Sequence, residues 1–366
     1  MASGSEALAN NPLQKGRSAR EQARVLLLVG GSLSLVVLVA LSMSTGSTGI
    51  QLTSLPGAIS AALGESIDDS DQRAALVLLE LRLPRTLLAI FVGAALAVAG
   101  AMMQGLFRNP LADPGLVGVS SGATLAAVSM IVLGNSLLGG WHEVLGVFAL
   151  PVAAFLGGLL ATLALMMVAS RHGTTAVATL LLAGIALGAL TGALTGILAY
   201  ISNDRELRDL TLWSMGSLSG ASWQKAAAIA PFAIVLLLAL PGLVKALNGL
   251  LLGEAEAFHL GINLEKAKRR IVVLTAAAVG AAVAVAGIIG FVGIVVPHLV
   301  RIVAGPDHRI LLPASALLGA ALVLVADVIA RVIVAPAELP IGIIMAIIGA
   351  PVFLHLILKR ASGVVM

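Results

Sequence analysis

Apolar runs of about 20 residues, almost free of charge, recur along the whole chain, and they limit the possible folds more than any other feature. A helix of about 20 apolar residues can cross the hydrocarbon core of a bilayer. Hydrophobic residues make up 59% of the chain and charged residues only 11%, whereas soluble domains carry about 25% charged residues. We therefore expect an all-α polytopic membrane protein, with about ten transmembrane helices. The predicted spans lie near residues 25–45, 86–107, 115–134, 144–169, 176–201, 226–247, 271–288, 292–304, 310–334 and 340–358.

The apolar stretch 271–303 is interpreted as two of these spans. As one helix it would be about 50 Å long, which exceeds a hydrocarbon core of about 30 Å. Gly287, Gly290, Gly293 and Pro297 interrupt it. We therefore expect a full span that ends near 288 and a shorter helix over 292–304.

The distribution of basic residues supports an even number of spans, with both termini in the cytoplasm. Of the 22 Lys and Arg residues, this arrangement leaves few outside, as the positive-inside rule requires. The outer residues would be Arg73, Arg82, Arg85, Arg205, Arg208, Lys225 and Arg331.

The polar residues 1–20 are predicted to be a disordered cytoplasmic segment, and 21–366 to form a single permease domain. The run Val25–Leu41 follows several basic residues and is interpreted as a retained first span. A cleaved signal peptide ending near Ala40-Leu41-Ser42 is the alternative.

A short internal repeat links the two halves of the chain. Residues 92–100 read VGAALAVAG and residues 279–287 read VGAAVAVAG. In the predicted topology the two copies run in opposite directions, as in the inverted repeats of many transporters. Chance similarity between two helices rich in alanine, valine and glycine is the alternative.

Several motifs in both halves carry a resemblance to a known family. They are Leu81–Ala123, which contains LRLPRTLL and RNPLADPG, and then Gly253–Gly261 (GEAEAFHLG), Gly290–Arg301 (GFVGIVVPHLVR), Asp307–Pro313 (DHRILLP), Ala326–Arg331 (ADVIAR) and Glu338–Val352 (ELPIGIIMAIIGAPV). Over roughly residues 25–360 the chain resembles the FecCD/BtuC family, the inner-membrane permeases of bacterial ABC importers for iron chelates and cobalamin.

The resemblance implies a set of partners. The permease would work as a homodimer with two copies of a separate ATPase subunit, which binds ATP and Mg²⁺, and with a periplasmic substrate-binding protein. The chain contains no GxxxxGK[ST] phosphate loop, so it is expected not to be an enzyme and to leave ATP hydrolysis to the partner subunit. No cofactor or metal site of its own and no nucleic-acid partner are expected either. The run 104–123 resembles haem permeases more than cobalamin permeases, so we expect haem as cargo, with a ferric siderophore or cobalamin as alternatives.

The resemblance also assigns roles to particular residues. Residues 251–263 would form the coupling helix that contacts the ATPase. Arg82, Arg85 and Arg331 would receive acidic residues of the binding protein, although they could instead anchor to lipid headgroups, and Arg331 could pair with Asp327. The coupling-helix residues are Gly253, Glu254, Ala255, Glu256, Phe258, Leu260 and Gly261.

Two further assignments concern the transport path. Thr174 and Thr175, in the connection after the fourth span, would lie at the cytoplasmic gate, unless this is an ordinary loop. Met102, Met103 and Met215 are candidates for lining the pathway, with core packing as the alternative. No ladder of carboxylates or imidazoles crosses the predicted membrane, which favours a wrapped chelate over a bare metal ion.

Two rival functions remain open at this point. An ion-coupled secondary transporter would also explain an inverted repeat, but Asp327 is the only acidic residue well inside a predicted span. A sensor or scaffold that transports nothing is the second rival.

Overall fold

The computed structural model describes residues 12–46, 52–64, 68–134, 144–171 and 174–361. Within these ranges the chain is a bundle of α-helices with one pair of two-residue strands. The helices are α1 (Pro12–Ser44), α2 (Leu55–Ala62), α3 (Asp69–Ala75), α4 (Leu83–Phe107), α5 (Val119–Leu133), α6 (Ala149–Ala169), α7 (Val177–Ile201), α8 (Asp204–Ser214), α9 (Trp223–Leu252), α10 (Glu254–His259), α11 (Leu264–Ala286), α12 (Val292–Ala304), α13 (His308–Val332) and α14 (Ile341–Ala361).

Shorter elements join these helices. A π-helical segment, Leu76–Arg82, makes α3 continuous with α4. Single 3₁₀ turns lie at Leu52–Ser54, Pro114–Val117 and Gly146–Phe148. The antiparallel strands β1 (Ser170–Arg171) and β2 (Thr174–Thr175) connect α6 to α7.

The ten predicted spans all correspond to apolar helices. In the described residues, seven helices are long and apolar enough to cross a membrane: 21–44 in α1, the continuous helix 69–107, α6, α7, α9, α11 and α13. The three shorter apolar helices are α5, α12 and 341–355 in α14. The predicted break near 288–292 is confirmed, because α11 ends at Ala286 and α12 begins at Val292.

The first helix begins earlier than the sequence indicated. α1 is helical from Pro12, the first residue that the structure describes. Residues 12–20, which were expected to be disordered, are therefore helical. Residues 1–11 lie outside the described part of the chain.

Helix α4 is the centre of the main core. It packs against α9, α11, α12 and α13, and its residues 92–106 are all buried. A Cβ atom at Gly93 would overlap the carbonyl oxygen of Gly319 in α13, and one at Gly100 would overlap that of Gly293 in α12. These glycines allow backbones to approach closely, which is how apolar helices associate in lipid.

A second group of helices, α5, α6 and α7, packs beside this core. Gly122 of α5 and Gly157 of α6 face each other in the same close manner, and α6 joins the group to the core through α11. The two copies of the internal repeat lie on α4 and α11, which pack against each other, and both copies are fully buried.

The bundle has two ends that matter for function. One end, which we call the arginine end, contains Arg331 of α13. Arg331 donates a hydrogen bond there to the carbonyl of Thr45, just beyond α1. The opposite end contains α10, and we call it the α10 end. Arg24 of α1 donates a hydrogen bond there to the carbonyl of Ala304, the last residue of α12. Arg24 and Thr45 are 21 residues apart on the chain, so the two ends are about 30 Å apart, the thickness of a hydrocarbon core.

Candidate functional site

The arginine end carries a buried charge cluster centred on Asp327. The Oδ1 atom of Asp327 lies 2.9 Å from Nη2 of Arg85, and its Oδ2 lies 3.0 Å from Nε of Arg331. The side chain of Asp327 is 0% exposed. A carboxylate without solvent contact is stable only when it is paired, so the two arginines are what allow Asp327 to lie inside α13.

Two other residues extend the cluster. Arg85 also donates from Nη1 to Glu338, at 2.8 Å, and the Glu338 side chain is 34% exposed. Arg82, the last residue of the π-helical segment, is buried and donates to the carbonyl of Met43. Arg331 donates to the Ser42 hydroxyl at 3.0 Å. The cluster therefore fastens α1, α4 and α13 to the segment before α14.

This geometry bears on the predicted docking residues. The structure brings Arg82, Arg85 and Arg331 together at one end of the bundle, although more than 240 residues separate the first two from the third. All three make contacts within the chain, and the i,i+4 pair of Asp327 with Arg331 is present. Their docking role stays a prediction. For Arg85 and Arg331 it requires an incoming carboxylate to exchange with one that is already bound.

A cleft of about 400 Å³ opens beside this cluster. Its walls come from α6, α8, α9, the end of α11 and the segment before α14, and they include Pro151, Trp213, Lys225, Gly287 and Glu338. Glu338 therefore belongs both to the cleft and to the charge cluster. In the described residues the ammonium group of Lys225 makes no ion pair, although it lines the same cleft.

Three segments meet without intervening side chains next to this cleft. A Cβ at Gly287 would overlap the carbonyl oxygen of Trp213, one at Gly216 that of Ile288, and one at Gly342 that of Met215. The Ser217 amide also donates to the Ala286 carbonyl at 2.7 Å. We call this contact of the end of α8, the α11–α12 break and the start of α14 the glycine junction.

At the α10 end, the predicted coupling segment forms a short helix between α9 and α11. Gly253 precedes α10 at φ +129° and Gly261 follows it at φ +73°, conformations that favour glycine. Ala257 is buried against the bundle, whereas Phe258 is 71% exposed and Leu260 is 55% exposed. The Lys268 ammonium lies 2.9 Å from a Glu254 carboxylate oxygen and so fastens α10 to α11.

The other predicted path residues are placed differently. Met102 and Met103 are 0% exposed in α4. This burial favours the alternative, core packing, and their role in lining the pathway stays a prediction. Met215 is half-exposed beyond α8. Thr174 and Thr175 form strand β2, but their side chains lie outside the description, and their gate role stays a prediction.

The contacts of Gln104 were not predicted from the sequence. Gln104 of α4 donates to the carbonyl of Gly293, at 3.1 Å, and accepts from Nη1 of Arg301, at 2.9 Å. The sequence contained one sign of this polar contact between α4 and α12, namely a lone glutamine in an apolar span.

In the described residues no three His, Asp or Glu side chains are grouped so that they could hold a metal ion.

Comparison with known proteins agrees with this architecture. The hemin transport system permease protein HmuU of Yersinia pestis is 51% identical over 284 residues, which are 77% of this chain and 83% of that protein. The vitamin B12 import system permease protein BtuC of Salmonella typhimurium is 44% identical over 346 residues, 94% of this chain and 98% of BtuC.

The chain is also similar to a solved structure and matches a known protein family. The structure is an inward-facing conformation of a metal-chelate type ABC transporter, with a TM-score of 0.77 and 33% sequence identity over 91% of this chain and 98% of that one. The family matches residues 34–359. This chain belongs to the FecCD transport family.

Proposed function

We propose that this chain is the membrane permease of a bacterial ABC importer that brings haem into the cytoplasm. The observation that carries the proposal is α10, a short helix with an exposed apolar face at one end of an otherwise membrane-embedded bundle. The chain has no phosphate loop of its own. A separate ATPase must therefore supply the energy, and α10 is the surface best suited to contact it.

The two ends take opposite sides of the membrane in this proposal. The α10 end and both termini are cytoplasmic, and the arginine end is periplasmic, which follows the bias of basic residues. Two copies of the permease enclose the path, and the α10 helix of each copy binds one ATPase subunit. Phe258 and Leu260 provide the apolar contact, while the pair of Lys268 with Glu254 transmits the movement of α10 to α11.

Haem is supported as cargo by similarity and by charge. HmuU, a hemin permease by name, is similar over most of the chain, but BtuC is similar too. Haem carries propionate carboxylates, and Lys225 offers an ammonium group, without an ion pair in the described residues, inside the cleft at the periplasmic end. A ferric siderophore or cobalamin is the alternative cargo.

Uptake into proteoliposomes tests both energy source and cargo. With the permease, its ATPase and its binding protein, we expect ATP-dependent uptake of haem in preference to a ferric siderophore or cobalamin, and no uptake from a proton or sodium gradient alone. A Soret band in the binding protein purified with its ligand is an independent readout of cargo. Gradient-driven uptake without the ATPase would exclude an ABC importer.

The docking role of Arg85 can be tested without disturbing the buried carboxylate. Glu338→Gln removes the exposed partner of Arg85 and leaves Asp327 in place. We expect the binding protein to bind the reconstituted permease more tightly, by up to about fivefold, because an exposed ion pair contributes about 0.2–1 kcal/mol. Surface plasmon resonance at low and high salt measures this.

A matched variant controls for the change in charge. Asp209→Asn removes one exposed carboxylate from α8 that, in the described residues, forms no ion pair with Arg82, Arg85 or Arg331. If both variants change the affinity equally, the effect is one of net charge and Arg85 does not receive the partner's carboxylate.

A further inference from the structure

A second cleft, of about 190 Å³, lies at the α10 end between α9 and α11. Three basic side chains line it: Lys245 of α9 and Lys266 and Arg270 of α11. All three residues are exposed. Gly242 and Gly261 also line the cleft, and a Cβ atom built on either glycine meets nothing within 4 Å. The cleft therefore has room for a group the size of a phosphate.

The positive charge of this cleft is not neutralised by the described residues. Lys245, Lys266 and Arg270 form no ion pair there, and the neighbouring carboxylates of Glu254 and Glu265 both lie against Lys268 instead. Lys266 and Arg270 are four residues apart on α11, a spacing at which like charges repel. An anion in the cleft would relieve this repulsion.

The depth of the cleft in the bilayer indicates where the anion comes from. Lys225 and Lys245 are 20 residues apart on α9, which is about 30 Å of helix and matches a hydrocarbon core. Arg270 immediately precedes Ile271, where the apolar part of α11 begins. The three basic groups therefore lie at the level of the lipid headgroups rather than below it.

Exposed apolar side chains continue from the cleft toward the middle of the bilayer. On α9, Ile234 and Leu238 are exposed and lie on the same face as Lys245, at intervals of four and seven residues. On α11, Val273 is exposed just beyond Arg270. A molecule with an anionic head and an apolar tail would match both parts of this surface.

The geometry points to a binding site for the phosphate headgroup of an anionic phospholipid, held by Lys245, Lys266 and Arg270. Basic pockets between membrane helices on the cytoplasmic side are suited to such headgroups. The bound lipid joins α9 to α11 on either side of α10. It thereby stiffens the base from which the coupling helix projects.

Native mass spectrometry of the purified full-length permease in detergent tests the site, with phosphatidylglycerol and phosphatidylcholine as probes. We expect one phosphatidylglycerol to bind ahead of further lipids and in preference to phosphatidylcholine. Lys245→Gln with Arg270→Gln should weaken this binding about 25-fold, because each basic residue near an anionic surface contributes about fivefold. Lys245→Gln alone should weaken it about fivefold.

A control variant and two further arms decide the outcome. Arg269→Gln with Arg309→Gln removes the same charge from exposed positions that do not line the cleft, and binding should stay within about twofold of the original protein. An equal loss in this control would overturn the proposal, as would binding of phosphatidylcholine as tightly as phosphatidylglycerol. If the cleft variant keeps its lipid but no longer co-purifies with the ATPase, the basic residues belong to the protein interface instead.

Discussion

Replacing Asp327 with alanine is expected to lower the free energy of unfolding by about 3–5 kcal/mol, the cost of leaving a buried charge without its partner. Asp327 is fully buried and contacts both Arg85 and Arg331. Its loss would place two guanidinium groups side by side with only Glu338, at the edge, to offset them. The packing of α4 against α13 would weaken at the same time.

Thermal unfolding of the purified permease in detergent measures this effect. Glu338→Gln is the matched control, because it removes the other carboxylate of the same cluster from a partly exposed position, where a pair contributes about 1 kcal/mol or less. We expect a large fall in the unfolding midpoint for Asp327→Ala and a small one for Glu338→Gln. Similar midpoints for both variants would mean that water reaches Asp327 and that the cluster is not a buried one.

Replacing Gly100 with leucine is expected to prevent stable folding. The new side chain would meet the carbonyl of Gly293, which is backbone and cannot move aside as a flexible side chain would. Overpacking a core costs about 1–3 kcal/mol even where side chains can adjust, so we expect a greater loss here. If the backbone of Gly293 moved away to make room, the hydrogen bond from Gln104 to Gly293 would break as well.

Expression followed by size-exclusion chromatography in mild detergent measures the result. Gly30→Leu is the matched control, since Gly30 lies on the exposed face of α1, where an added side chain meets nothing. We expect a monodisperse peak for Gly30→Leu and an aggregated or absent peak for Gly100→Leu. A monodisperse, thermally stable Gly100→Leu protein would show that α4 and α12 tolerate a wider separation.

Most of the helical architecture could be predicted from the sequence because the bilayer sets the length of each apolar run. The break between α11 and α12 was predictable for the same reason, since 271–303 is too long for one span and contains glycines. The helical conformation of residues 12–20, by contrast, lies in a polar segment to which no apolar periodicity applies. The short helices α2 and α3 likewise gave no signal of this kind.

The functional site was only partly predictable, for a different reason. The pair of Asp327 with Arg331 is local and follows from helical spacing. The pair of Arg85 with Asp327 joins residues 242 positions apart, and Glu338 reaches Arg85 from a segment beyond α13. Only the packing of α4 against α13 determines those contacts. Burial of Met102 and Met103 depends on the same packing, which the apolar sequence of α4 alone did not reveal.

The glycine junction has a mechanical consequence for the transport cycle. Because backbone touches backbone there, the end of α8, the α11–α12 break and the start of α14 contain no compressible side-chain layer that could absorb a relative displacement. We therefore expect a displacement of any one of the three segments to move the other two with it. We expect the junction to move as one rigid unit, so that any bending of these helices during transport takes place elsewhere along them.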